Sequence, residues 1–206
     1  MSRPDTPNLQ HNLRFFDRWA SSYDHSLFQF WMKKFHVPIL HELENKRNLA
    51  IVDLSCGTGQ LLSSIYQQSG GNVNLSGVDI SKEMLKTAKK RLPSSVKLYT
   101  ADVHSLPFAS NTFDYVLTTE AFHHYYDQRQ ALQEMKRVAK KGGQIIVVDV
   151  NFFFFFIHWI FQKFEPGCVK INSKKQMRQL FENAGFTQIV QQRSFLFSIM
   201  TKSFKP

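Results

Sequence analysis

Between Leu49 and Val150 the chain alternates short apolar runs with stretches of helical periodicity. The runs LAIVDL (Leu49–Leu54), NVNLSGVD (Asn72–Asp79), VKLYTA (Val96–Ala101), FDYVLTT (Phe113–Thr119) and QIIVVDV (Gln144–Val150) are rich in β-branched and aromatic residues and predict five strands. One helix is expected directly after Gly59. A second opens with Ser81 as its N-cap and turns Met84, Leu85 and Ala88 to one face. A third opens near Asp127, carries Ala131, Leu132, Met135 and Val138, and is expected to stop at Gly142-Gly143. Strands that are apolar throughout, separated by helices, predict a parallel sheet covered on both faces.

The pattern changes after Val150. In NSKKQMRQLFENAGF, Ser173 and Gln176 fit a capping box and Gly185 a C-terminal stop, so a helix is expected between them. TQIVQQ and FLFSIMTK then form two closing strands. Only Arg193 and Ser194 separate them, which predicts an antiparallel pair at the sheet edge. No repeat or linker interrupts the chain, and a single domain, 1–206, is expected. Within it, 1–47 form a helical preface with Phe15, Phe16 and Trp19 at helical spacing, 48–150 the core, 151–172 an apolar segment, and 173–206 the last helix and strands.

Composition narrows the class without naming a function. At 206 residues, 43% hydrophobic and 20% charged, the chain is long enough to bury a core without staples. Two cysteines, Cys56 and Cys168, supply neither a disulfide framework nor a zinc spacing, and no metal site is expected. The N-terminal stretch lacks an apolar secretory core, so the expected setting is cytoplasmic, with the membrane periphery as the alternative. The formal net charge is +10, and from Phe152 onward eight Lys or Arg face two acids, Glu165 and Glu182. Such a basic face suits anionic partners, or is simply a well-solvated surface.

The stretch VDLSCGTGQLL carries chemistry. A buried strand ends at Leu54, and Gly57 and Gly59 lie in the turn that starts the next helix, where glycine permits close ligand approach. The helix N-terminus offers free N–H groups. Twenty residues past Gly59 stands Asp79, at the end of the second strand, where an acid can hydrogen-bond ribose hydroxyls. A dinucleotide loop would need a small residue at position 62, and Leu62 is large, so a nicotinamide oxidoreductase is disfavoured.

Here the chain resembles the class I S-adenosylmethionine-dependent methyltransferases. VDLSCGTGQ is similar to their first motif, GVDIS to the second, ADVHSLPF to the third, FDYVLTTEAFHHY to the fourth and LQEMKRVAKKGGQIIVVDV to the fifth, all in family order. FDRWASSYD and SKKQMRQLFENAGF resemble the small-molecule branch that includes the ubiquinone and menaquinone biosynthesis methyltransferases. One departure is Ser55, where the family usually has glycine. The resemblance implies an α/β fold with a Rossmann-like seven-stranded sheet, mostly parallel with an antiparallel C-terminal edge pair. It also implies S-adenosyl-L-methionine as cofactor and a small apolar methyl acceptor.

Carried over by position, the resemblance places Asp53, Ser55, Gly57 and Gly59 around the methionine part of the cofactor and Asp79 on its ribose. Ile80 and Met84 would flank the adenine, Asp102 would accept from its amino group, Val103 would offer its backbone, and Thr119 would border the methionyl group. If the acceptor must lose a proton, His124, His123, Tyr125, or Tyr23 with Asp24, are candidates to take it. The histidines equally suit a purely shaping role. An acceptor in a membrane lipid or RNA is the alternative, the latter without an Asn-Pro-Pro-Tyr-type motif to support it. A protein that holds the cofactor and transfers nothing is the alternative of another class.

The five consecutive phenylalanines of NFFFFFIHWIFQKF remain. The segment is too short and too interrupted to span a bilayer, which takes about 20 apolar residues. Past the fifth strand, Phe152–Phe164 predicts about three helical turns. Leaving the sheet at the rim where an acceptor would enter, it is expected to be a lid. Some of Phe152–Phe156 and Trp159 would wall the pocket with Trp19 and Tyr23 of the preface. A core helix and a helix lying on anionic lipid are the alternatives.

Overall fold

A computed structural model describes residues 7–20, 23, 29–152, 155–164, 167–195 and 197–206. Helices α1 (Pro7–Trp19) and α2 (Gln29–Glu42) precede the sheet. Then come β1 (Ala50–Leu54), α3 (Gln60–Ser69), β2 (Asn74–Asp79), α4 (Lys82–Arg91), β3 (Lys97–Thr100), β4 (Phe113–Thr119), α5 (Gln128–Val138) and β5 (Ala139–Val150). Helices α6 (Phe155–Phe164) and α7 (Lys174–Asn183) lead to β6 (Thr187–Phe195) and β7 (Ser198–Phe204). The seven strands lie in the order β3-β2-β1-β4-β5-β7-β6. All pairings are parallel up to β5, and β7 then runs antiparallel to both β5 and β6.

Period-two alternation along the strands feeds two cores. Val52 of β1, Val116 of β4 and Ile145 and Val147 of β5 pack with α5 and α7 through Leu132, Met135, Met177 and Phe181. Their neighbours Ile51, Leu117, Ile146 and Val148 face the other way and pack with Ile39 of α2, Leu62 of α3 and Ala88 of α4. Both sheet faces are covered, which is why the strands read as continuous apolar runs. Capping uses the expected residues. Ser81 accepts from Met84 N at 3.1 Å, Asp127 from Gln130 N at 2.9 Å, and Ser173 and Gln176 form the reciprocal box.

Two boundaries differ from expectation, for physical reasons. Helix α5 ends at Val138, not at the glycine pair, because Ala139 is already paired with Phe113 of β4. Gly142 and Gly143 instead accompany a shift of register within β5. Gly142 has φ of 71°, and a Cβ on Gly143 would stand 2.9 Å from the Lys140 carbonyl oxygen and 3.0 Å from that of Phe113. At the sheet edge, Arg193 and Ser194 do not form the turn but belong to β6. Arg193 pairs with Ile199, and its guanidinium donates to the backbone and side-chain oxygens of Asn151, each at 2.9 Å.

Of the phenylalanine run, Phe153 and Phe154 lie outside the described residues. Helix α6 packs inward through Phe161 against Phe152, whose ring also contacts Phe197. Among the described residues no helix is long and apolar enough to cross a membrane.

Gly59 links the loop to the helix layer. Its φ is 77°, and a Cβ there would meet Leu92 Cδ1 at 2.7 Å and Ala88 Cβ at 3.2 Å at the neighbouring helix. Gly59→Val is therefore expected to destabilise the fold by about 2–4 kcal/mol, from left-handed strain and overpacking together. A urea midpoint unchanged from the parent would show that α4 yields freely.

Candidate functional site

The site lies over the carboxyl ends of β1, β2 and β4, where ligands sit in open α/β sheets. Two adjoining cavities form it, and they share Tyr23, Ser55, Gly57, Thr119 and Glu120. The larger is mainly apolar and runs past Ile80, Met84 and Val103. The smaller is polar and is reached by Asp53, His36, Thr58 and Gln60.

The loop after β1 is built for close approach. Ser55, Gly57 and Gly59 all have positive φ, at 57°, 52° and 77°. Nothing stands within 4 Å of where a Cβ on Gly57 would be, so the side chain missing there is space left to the cavity. A left-handed serine costs about 1–2 kcal/mol, so a glycine would sit more easily at Ser55. The serine hydroxyl, however, lies 3.1 Å from the Tyr125 hydroxyl, which in turn is 2.8 Å from Thr118 Oγ1. Tyr125 thus ties the loop to β4. Burial pushes its phenol well above the ordinary value, so it stays protonated at neutral pH and braces the loop.

Asp79 joins the loop to α4. Its Oδ2 accepts from Gly57 N at 2.8 Å and its Oδ1 from Ser81 N at 2.9 Å. Burial raises its pKa to about 6, against the lowering effect of those N–H donors, and Asp17 of α1 adds to the rise. Asp17 itself accepts from the Ser81 hydroxyl at 2.5 Å, which draws the preface over the cleft. Asp53 is 2% exposed, and its Oδ1 has no hydrogen-bond partner among the described residues. Burial first, and then the charge of Asp79, pushes its pKa well up.

Asp102 lines the apolar cavity, but much of its acceptor capacity is used. Its Oδ1 takes His104 N at 2.9 Å and His104 Nδ1 at 2.6 Å, and Tyr126 donates to Oδ2 at 3.1 Å. These bonds outweigh burial and hold its pKa below the usual value. Because His104 Nε2 accepts from Asp127 N at 3.3 Å, its proton sits on Nδ1. The ring stacks on Tyr126 with centroids 3.7 Å apart.

The remaining candidates separate. Thr119 and Tyr23 line both cavities. His124 faces the apolar one, edge-on to Phe16 of α1 with centroids 5.3 Å apart, and burial with the charge of His123 lowers its pKa to about 3. His123 is not among the cavity-lining residues. Its Nδ1 lies 2.6 Å from Asp149 Oδ1, with both side chains buried. Gly59 lines neither cavity, and its constraint is the packing of α3 on α4. Neither Phe152 nor Trp159 lines the cleft, and Trp159 is 60% exposed, so the roof over the described cavity comes from Leu13 and Phe16 of α1. The side chain of Trp19, and Asp24, lie outside the described residues. Sequence reasoning missed His36 and Glu120. No periodicity singles out His36, whereas Glu120, left-handed at φ 52°, stands directly after the last residue of β4 and its position was the available signal.

The orphaned Asp53 oxygen, the open Gly57 cradle and the partly satisfied Asp79 carboxylate fit a ligand that is cationic at one end, carries a ribose and has an apolar base at the other. A family model of methyltransferase domains matches residues 45–191, more than half of the chain. The demethylmenaquinone methyltransferase of Staphylococcus aureus (strain JH9) is 26% identical over 205 residues, covering 87% of this chain and 83% of that one. A chain from a complex of a Haloferax volcanii methyltransferase activator with a methyltransferase superposes with a TM-score of 0.80 at 20% identity, covering 93% of this chain and 97% of that one. An S-adenosylmethionine-dependent methyltransferase of Aquifex aeolicus gives 0.75 at 17% identity, covering 92% and 98%. With the ordered motifs, the seven-stranded sheet and the family match in agreement, the chain belongs to the methyltransferase domain family and is a class I S-adenosylmethionine-dependent methyltransferase.

Proposed function

We propose that this methyltransferase acts on an apolar small molecule of aromatic, quinone-like or lipid-like character. The observation that carries the reading is the cavity lining: Leu13, Phe16, Ala121 and His124 give apolar and aromatic surface to the same cavity as the residues suited to the cofactor. The similarity to a demethylmenaquinone methyltransferase supports it independently.

In this reading Asp79 takes the ribose hydroxyls, with the lone pairs left over from Gly57 and Ser81. Asp53, Ser55 and Gly57 hold the methionine end. Ile80 and Met84 would flank the adenine, Val103 would offer its backbone to the ring, and Asp102 would offer it the one acceptor position that His104 and Tyr126 leave. Thr119 borders the methionyl chain. When bound, the cofactor supplies an electrophilic methyl on a sulfonium centre. Burial raises the cost of ionising both Asp53 and Asp79, the charge of Asp79 adds to it at Asp53 and that of Asp17 at Asp79, and a cationic ligand group nearby would relieve that cost. Helix α1 covers the cleft and excludes water, and alignment of the acceptor within it is worth roughly 7–11 kcal/mol. His124, neutral at physiological pH, shapes the acceptor pocket and serves there as a hydrogen-bonding wall.

Calorimetry with S-adenosylhomocysteine and with NAD, and then a methyl-transfer screen on phenols, quinones and lipids, tests the reading. Binding of the first ligand alone, and turnover of an apolar acceptor, are expected. Tight binding without transfer to any acceptor class would make the chain a cofactor-holding protein instead.

Asp79 is ionised above about pH 6 and protonated below it. Affinity for S-adenosylhomocysteine should therefore fall as pH drops through that value. Asp79→Asn should weaken binding roughly tenfold or more at neutral pH and abolish the pH step. An unaltered affinity would remove the ribose role.

With a pKa near 3, His124 contributes no step to the rate profile around neutrality. His124→Gln is expected to raise KM for the acceptor several-fold while kcat keeps its pH profile. A step near the ordinary histidine value of about 6.5 that vanishes in the variant would make His124 the base after all.

A further inference from the structure

We propose that the outer face of α6 docks the enzyme onto an anionic lipid surface. The helix turns two different sides to its surroundings. Inward, Phe161 meets Phe152, which meets Phe197, and this ring cluster fixes the helix against the β6–β7 end of the sheet. Outward, Trp159 is 60% exposed, Ile160 43% and Phe164 73%. At about 100° per residue, Trp159, Ile160, Lys163 and Phe164 fall within one arc of about 140°. Three large apolar side chains in water on one short helix form a contiguous patch rather than scattered exposure.

Charge selects the occupant. Lys163 sits inside the patch, its Nζ 5.2 Å from the centre of the Trp159 ring. Lys170, Lys174 and Lys175 come next along the chain, all exposed. A second copy of the chain docked here about a two-fold axis would bring the Lys163 ammonium groups of both copies into one interface, at a like-charge cost. An anionic bilayer instead takes the apolar residues at the acyl boundary and the ammonium groups among its head groups. Ten residues span only about 15 Å, so the helix lies in the interface and does not cross it.

Helix α6 leaves the sheet at the carboxyl end of β5, and β5 runs parallel to β4 with Val148 beside Thr119, a cleft residue. A bilayer under α6 therefore lies on the cleft side of the sheet. The docking itself rests on the helix face alone and is independent of the acceptor proposed above.

Co-sedimentation of the full chain with extruded vesicles tests the proposal, comparing phosphatidylglycerol–phosphatidylcholine mixtures with phosphatidylcholine alone at low and high salt. Expected are binding to the mixed vesicles, release by salt, and partition about tenfold weaker in a Trp159→Ser, Phe164→Ser double variant. A Lys163→Glu variant should lose the preference for anionic vesicles while its apolar face stays intact. S-adenosylhomocysteine affinity and thermal melting should match the parent in all variants, which separates loss of docking from loss of the fold or of the cofactor site. The proposal is overturned if the parent stays in the supernatant with anionic vesicles at low salt, or if the double variant binds as well as the parent. It is equally overturned if sedimentation analysis shows a parent dimer that the double variant dissociates.

Discussion

The site depends on the pair of backbone N–H groups held by the Asp79 carboxylate. Gly57 belongs to the loop after β1, Ser81 to the cap of α4, and one buried side chain fixes both. A charged acceptor bonded to two amides is among the stronger hydrogen-bonding arrangements available to a protein. It holds the left-handed loop open and points the start of α3 at the cleft. Asp17 extends the same network to the preface through Ser81, so the helix that roofs the cavity is anchored to the residue that shapes its floor.

Electrostatic cost accumulates at this place. Asp53 and Asp79 are both buried and both pushed up in pKa, and the charge of Asp79 adds to the cost of ionising Asp53. Left-handed backbone at Ser55 and Glu120 adds conformational cost on either side of the same cleft. The surrounding structure carries that cost through Tyr125, which spans from Ser55 to Thr118. A fold that concentrates unfavourable terms in one cleft is prepared for a ligand whose charge and shape relieve them.

The sequence alone assigned the walling of the pocket to the preface and the apolar segment together. Helix α1 closes the cleft with Leu13 and Phe16, while α6 turns Trp159, Ile160 and Phe164 to solvent. An apolar helix can cover a site, fill a core or meet another surface, and its composition does not say which. Contact of Phe161 with Phe152, and through it with Phe197, settles the orientation, because turning that side of α6 to the sheet turns Trp159, Ile160 and Phe164 away from it.

Much was legible without coordinates. The strand runs, the caps at Ser81, Asp127 and Ser173, the glycine loop and the acid at the end of β2 are local signals, each set by backbone preference or by an alternation that repeats over a few residues. They determined the sheet, its antiparallel edge and the family. What stayed hidden depends on contacts between residues far apart in the chain. Whether Gly142-Gly143 ended a helix or eased a strand was decided by pairing of Ala139 with Phe113. Whether His123 faced the cleft was decided by Asp149, 26 positions away. That the His124 pKa falls to about 3 comes from burial and then from the charge of His123, and that a side chain at Gly59 would be overpacked comes from Leu92 at the end of the next helix. The sequence by itself determined which elements form and what chemistry they carry. Only the tertiary structure decided which side chains meet, because burial and long-range pairing set both the direction of a side chain and its protonation.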